Sequence, residues 1–463
     1  MAAEPARVAK KRAFEARPMS AIVTEEDAHQ NEAETKRGSR AGYVLFVLTT
    51  ACLLSYVDRY TLNVLLGPIK GTMQLSDAQI GLLVGFAFAM FYSVMAAPFG
   101  WATDRFNRRN IIIGGVLVWS VATTACGLAT NFGELLTARV LVGFGEATLM
   151  PAAYSMLADI YPSRQRGRAY GVFTMAVYVG GGIALLLGGG LLALSAGLVI
   201  TIPQLAGFHP WQIVFLIIGP LGIPMAMLLL AAPEPKRRRV AEAGPIQEAS
   251  LFRYVWRHRG PFIWVFGCYT LFSYVSFAVL PWAPLMMVRK FGLSPASAGL
   301  MIGLVTLVGG FVGALSAGAI GDHWAARGAR GGRFRLTLPW WIGATVAIPC
   351  FAFAPTSESA AAGYMFFIFF NSIGYVSATA VIQDMVPSAM RGRIVAFWYV
   401  VTNVGSGLGP LVTGLLTDRY FGSESTLPLA IVVASIPALL LGLVCSVYGI
   451  PLYDALRVRI EGK

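Results

Sequence analysis

Long apolar runs alternate with short polar stretches along nearly the whole chain. A helix that crosses a bilayer needs about 20 mostly apolar residues, with Gly and Pro tolerated inside it. That rule marks twelve spans: residues 42–66, 79–103, 110–130, 134–158, 168–196, 211–232, 261–287, 294–320, 335–354, 359–386, 392–416 and 427–450. The start of the chain breaks the pattern. It is polar, carries Arg7, Lys10, Lys11, Arg12, Arg17, Lys36, Arg37 and Arg40, and has no apolar stretch of the signal-peptide kind. It reads as a disordered basic tail over 1–41. The longest connection between spans, 233–260, opens with PEPKRRR and divides them six and six. The expected organisation is therefore a tail, a six-helix bundle over 42–232, a linker over 233–260, a second bundle over 261–450 and a short tail over 451–463.

Composition agrees. Of 463 residues, 56% are hydrophobic and 13% charged, against roughly 25% charged in a soluble protein. The solvent for most of this chain is lipid, and the fold class is an all-α polytopic membrane protein. The net charge of +13 suggests nucleic acid only until its distribution is examined. Among the 36 Lys and Arg, the loops on one side hold only Lys70, Arg289, Lys290 and Arg419. Arg59 and Arg139 sit within spans, and all the others lie on the side of the N-terminus. The positive-inside rule then puts both termini in the cytoplasm of a multi-pass protein of the plasma (inner) membrane. KRRR at 236–239 sets topology or touches anionic membrane lipids. The five cysteines lie in apolar runs without a C-x-x-C pair and read as small packing hydrophobes. No metal cluster is expected.

The two halves repeat. DIYPSRQRGR starts at Asp159 and DMVPSAMRGR at Asp384, so both read D-x-x-P-S-x-x-R-G-R. GWATDRFNRR starts at Gly100 and GAIGDHWAAR at Gly318, each G-x-x-x-D at the end of an even span. Twelve spans in two repeated halves with these loops resemble the major facilitator superfamily. The resemblance implies two pseudo-symmetric six-helix bundles working by alternating access. It also implies a gate at the basic loops, built from Gly100, Asp104, Arg105 and Arg108, from Asp159, Arg164, Arg166 and Arg168, and from Asp322, Asp384, Arg391 and Arg393. Asp104 can accept from the positive N-terminus of span 11, and by analogy with the family stabilises the outward-open state. Arg164, Arg166 and Arg168 can pair with Asp104 and Asp159, holding one half against the other in one state only. Where the family loop usually has Gly, this chain has Asn107, expected to tolerate the same left-handed turn. The glycines of spans 5 and 11 point to close helix packing. GLLTDRY at 414–420 again reads G-x-x-x-D-R, but falls on the other side and is taken as an independent end-cap.

Four ionisable residues lie well inside spans: Asp58 and Arg59 in span 1, Arg139 and Glu146 in span 4. Each costs at least about 2.5–3.5 kcal/mol at a helix centre, and such residues usually face a cavity or one another. At 1.5 Å per residue their depths overlap. Asp58–Arg139 and Arg59–Glu146 are both reachable, as is one shared cluster. LLSYVDRYTLNVLL and RVLVGFGEATLMPAAYSML resemble the spinster group of that superfamily. This implies transport of lysolipid or sphingoid-type amphiphiles and a transport role for the four charges. A carboxylate beside an Arg titrates as water access changes, so protonation of Glu146 or Asp58 is expected to release an Arg, with protons as the coupling partner.

Spans 7–12 carry aromatics rather than mid-span cations, and Tyr56, Phe272, Asn371 and Tyr375 are the expected cavity wall. Charge in one half and aromatics in the other suit a ligand with a polar head and a greasy tail. The expected function is thus a secondary active transporter, acting as a monomer, for an amphipathic small molecule or lipid. A proton-coupled multidrug-type exporter is the alternative, and a scramblase or channel the outsider. No histidine lies mid-span and no G-x-x-x-x-G-K-[ST] loop occurs, so neither an enzyme nor direct use of ATP is expected, and no cofactor beyond the proton gradient.

Overall fold

The computed structural model describes residues 19–237, 251–326, 331–387 and 390–461. Its described residues form helices and the turns between them. Eleven are long and apolar enough to cross a membrane. They are α1 (Arg40–Met73), α2 (Asp77–Arg105), α3 (Arg108–Leu128), α4 (Phe132–Ile160), α5 (Arg168–Thr201), α6 (Pro210–Ala231), α7 (Arg259–Phe291), α8 (Pro295–Gly321), α10 (Ser357–Asp384), α11 (Arg393–Phe421) and α12 (Glu424–Ile460). The remaining expected span, 335–354, is the helix Thr337–Ala352, α9, which has 16 residues and follows a 3₁₀ turn at Gly332–Leu336. It packs against α10 and α12 and buries Trp340 and Trp341. At the start, helical backbone runs from Met19 into α1, ahead of the boundary expected at 42. The residues before Met19 lie outside the description.

Local sequence sets the helix ends. Ser76 and Gln79 form a capping box at the start of α2, Asn131 caps α4 through Glu134 N at 3.0 Å, and Thr356 caps α10. Asn107 departs from expectation. It sits at φ −64°, ψ 114° and caps α3 by accepting from Asn110 N at 3.0 Å. The loop therefore turns by capping, not by a left-handed residue. Cys350 is exposed, while the other four cysteines are buried.

The even alternation of spans leaves two ends. The basic end carries the Arg-rich loops; the far end carries the turns α1–α2, α7–α8 and α11–α12. α1–α6 and α7–α12 form two bundles that meet along α5–α8 and α2–α11. Small residues allow both seams. A Cβ on Gly189 would lie 2.6 Å from the Ala296 carbonyl oxygen, and one on Gly81 2.4 Å from that of Pro410. These contacts sit toward the far end. At the basic end a Cβ on Gly100, Gly171 or Gly318 would meet nothing within 4 Å. Backbone-level contacts close the seam at the far end, while these glycines at the basic end face open space. Two π-helical turns, Leu82–Phe86 in α2 and Leu416–Phe421 in α11, flank the closed seam.

Candidate functional site

The four intramembrane charges resolve into two pairs. Arg59 donates to Glu146 Oε2 through Nη2 and, at 3.2 Å, through Nε. Arg139 Nη1 stands 3.9 Å from Asp58 Oδ1, a looser pairing, and Thr123 donates its hydroxyl to Asp58 Oδ2. Being adjacent on α1, Asp58 and Arg59 diverge by about 100°, so each meets a different partner. α4 makes room for this. Its α-helix stops at Glu146 and restarts at Leu149, where Pro151 withholds a backbone donor from the turn before it. Glu146 therefore sits at a break.

Asp58, Arg139 and Glu146 are each at most 2% exposed. Asp58 Oδ1, Glu146 Oε1, and Arg139 Nε and Nη1 nevertheless have no hydrogen-bond partner among the described residues. A buried polar atom without a partner costs about 1–3 kcal/mol. Aromatic rings supply part of the compensation. The Arg59 guanidinium lies 4.2 Å from the Phe88 ring centroid, 4.8 Å from Tyr56 and 5.3 Å from Tyr92. The Arg139 guanidinium lies 5.8 Å from the same Phe88 centroid, so one ring serves two cations.

Between the bundles lies a cavity with about 1260 Å³ of space not filled by atoms, open solvent at its mouth included. All four expected wall residues, Tyr56, Phe272, Asn371 and Tyr375, line it. Of the charged quartet only Arg59 does, and among the described residues it is the sole charged residue of the wall. The C-terminal half, expected to offer aromatics, also offers Ser276, Ser372, Thr402, Asn403 and Ser406. Asn371 donates to the Ser276 hydroxyl. The halves thus differ in formal charge but not in hydrogen-bonding capacity. Short Ser and Thr side chains hid this, because in a sequence they read equally as groups bonded to their own helix.

The expected gate at the basic end is not closed. Among the described residues Asp159 pairs with Arg108. Arg108 also donates to Ser155 at 3.0 Å, Glu234 at 2.8 Å and the Pro235 carbonyl at 2.8 Å. Arg237 caps α2 by donating to the Thr103 and Phe106 carbonyls at 2.8 and 2.7 Å. The PEPKR segment is thereby strapped to α2, α3 and α4, and its Arg237 serves structure. Arg166 donates to the Ala158 carbonyl at 3.0 Å, and Asp384 accepts from the Tyr453 hydroxyl at 3.0 Å. Asp104, Arg105, Arg168, Arg391 and Arg393 are exposed, with Arg105 over the Trp101 ring. The side chains of Arg164 and Asp322 lie outside the description. Among the described residues no ion pair joins the two halves at this end.

The far end holds what sequence reasoning missed. Asp77 accepts two bonds of 2.7 Å from Arg289 and one of 2.6 Å from Lys70. Glu424 pairs with Lys70 at 2.8 Å and with Arg289 at 3.2 Å. The Asp418 carboxylate accepts from Asp77 N at 3.0 Å and Ala78 N at 2.6 Å. Lys70 and Asp77 belong to one half, Arg289, Asp418 and Glu424 to the other. The expected independent cap in GLLTDRY is therefore corrected: Asp418 caps α2, across the seam. The signals available were the second G-x-x-x-D-R and the few cations on this side.

A sequence profile described as Major Facilitator Superfamily matches residues 48–376. The chain is 28% identical over 409 residues to an MFS-type efflux pump of Mycolicibacterium smegmatis, covering 87% of this chain and 89% of that protein. It is 26% identical over 388 residues to the hexuronate transporter of Bacillus subtilis, covering 81% and 88%. Among solved structures it is similar to a bacterial homologue of the human lysosomal transporter spinster, in an inward-facing and unoccupied conformation. That likeness has a TM-score of 0.74 and 26% identity, over 91% of this chain and 98% of the other.

Proposed function

The chain belongs to the major facilitator superfamily, and from that premise we propose that it is a proton-coupled transporter of an amphipathic anion, of the lysolipid or sphingoid-phosphate type. A secondary transporter of this superfamily, an integral multi-pass membrane protein, is no enzyme; what needs argument is the coupling and the cargo. The observation that carries the proposal is the position of Arg59. Among the described residues it is the only charged side chain of the cavity wall, and its carboxylate partner, Glu146, stands behind it, out of the cavity. With Glu146 ionised, the guanidinium is neutralised by this carboxylate of α4. A proton on Glu146 leaves Arg59 with unbalanced positive charge in a low-dielectric site, where an anionic head restores neutrality. Proton and anion then bind together. Asp58 has the same chemistry at one remove, because its Arg139 faces no cavity.

The basic loops support an orientation with both termini in the cytoplasm, and the open space at the basic end supports an inward-open state. The aromatic wall, from Tyr56 and Tyr92 to Phe272 and Trp398, supports a greasy tail beside the head. A single cation disfavours a compact dianion clamped from both halves, and it disfavours cationic drugs of the kind many multidrug exporters take. A second reading has its own observation. The hydroxyl and amide groups of the C-terminal wall suit a small hydroxylated anion, the class named for the hexuronate relative.

Proteoliposomes with an imposed pH gradient separate these. Wild type and Arg59→Ala are compared for uptake of a lysophospholipid series, glucuronate and a flat aromatic cation. The proposal expects gradient-driven uptake of the lysophospholipid, lost by at least roughly 100-fold, about 2.7 kcal/mol, in the variant. Uptake of glucuronate alone selects the second reading. Uptake of the cation, indifferent to Arg59, overturns both.

A further inference from the structure

Two stretches of this chain share more than a spacing. Gly100–Arg105 reads GWATDR and Gly414–Arg419 reads GLLTDR, so Gly, Thr, Asp and Arg coincide. The first ends α2 at the basic end; the second ends α11 at the far end. α2 and α11 run antiparallel along the same seam, so each motif lies at the end of the membrane where the other helix begins. At the far end the consequence is visible. Asp418 accepts from both Asp77 N and Ala78 N, the unpaired donors of the first turn of α2, where a negative charge is also favoured by the helix dipole. The motif's glycine is what lets the helices come this near: a Cβ on Gly414 would lie 2.2 Å from the Asp77 carbonyl oxygen. Asp77 is in turn gripped by Arg289 and Lys70, and Glu424 ties those two cations together. At the basic end the same elements are undone. Gly100 faces open space, and Asp104 is exposed and makes no hydrogen bond or ion pair among the described residues.

We propose that GLLTDR is a second latch, the far-end counterpart of GWATDR, and that α2 and α11 cap each other reciprocally. In the state described, Asp418 holds the N-terminus of α2 and Asp104 holds nothing. In the opposite state Asp104 holds the N-terminus of α11 and Asp418 is released. The small polar space around Asn63, Gly85 and Asn403, which Arg59 also lines, lies beneath this latch. Its opening would join Arg59 to the far side. The two π-helical turns sit beside the far latch, and such turns mark places where a helix re-registers. The proposal rests on the alternating-access reading, and it sets a sign. Loss of Asp418 drives the equilibrium toward the far-open state, loss of Asp104 away from it, and the double loss returns it toward wild type.

The test is a distance measurement on the whole protein in lipid, without substrate, so its failure is distinct from failure of the transport assay. Spin labels at Ile200 and Glu358, both exposed at the far end of opposite halves, are read on a Cys350→Ser background. Wild type should give mainly one short distance. Asp418→Asn should raise the ratio of long to short distances roughly tenfold, the equivalent of about 1.4 kcal/mol. Asp104→Asn should lower it, and the double variant should fall between. Arg289→Lys keeps the charge but loses the two-bond grip on Asp77; should Asp418→Asn fail to fold, Arg289→Lys gives the same shift in smaller measure. An unchanged distribution in the folded far-end variants, or a shift of Asp418→Asn in the same direction as Asp104→Asn, overturns the proposal.

Discussion

Asp58 and Arg59 are consecutive residues on one helix turn, yet their surroundings differ in kind. Asp58 is sealed against Thr123 and a distant Arg139, 2% exposed and away from the cavity. Arg59 leans between three rings, bonds Glu146 behind it and presents its remaining face to the cavity. The difference teaches that an intramembrane ion pair is defined by where its second face points. A pair with one face in the cavity can exchange its partner for a ligand. A pair with both faces in protein can only hold or break.

The sharpest way to break that contrast is Glu146→Gln. It mimics the protonated acid permanently, so Arg59 should bind anion at all pH values as wild type does at low pH. Gradient-driven accumulation should fall roughly 100-fold, while exchange across equal pH survives, in counterflow assays against wild type. Next comes Arg59→Lys, which keeps the charge but not the flat stacking on Phe88 and Tyr56; half-saturation should rise about tenfold with the pH response intact. Asp58→Asn should act mainly on the fold. It leaves Arg139 buried beside a neutral group, lowering stability by about 1–3 kcal/mol in thermal unfolding, with the pH response of transport kept. If Asp58→Asn flattens the pH response and Glu146→Gln does not, the two pairs have been assigned in reverse. The smallest effect belongs to Thr123→Val, which removes one hydroxyl bond to Asp58 and should cost about 1 kcal/mol without touching transport.

Much of this was legible in the chain itself. Apolar runs set the spans, because lipid leaves a backbone few choices, and depth along 1.5 Å steps brought the four charges level. Which charge meets which was not legible. Arg108 reaches Asp159 together with Glu234 from the linker; no spacing within a loop announces a third party from elsewhere. Asn107 was expected for its tolerance of a left-handed turn and serves instead through its side-chain oxygen. GLLTDRY was read as isolated for a related reason. A motif states what a helix end can accept, but only the packing of two bundles states what is brought to it. The hydroxyl groups of α10 and α11 were invisible as wall because their facing depends on tertiary packing.

Phe88 ends up with an unexpected place in the machinery. Its ring is shared by the Arg59 and Arg139 guanidinium groups, and it stands on α2, the helix whose first residue, Asp77, is clamped at the far seam. Eleven residues of helix, about 16 Å of it, join the clamp to the ring, with the π-helical turn Leu82–Phe86 between them. α2 is thus a lever arm. If its far end swings as the proposed latch requires, the ring moves past both cations, and the charge balance in the middle of the membrane is geared to the closure at its edge.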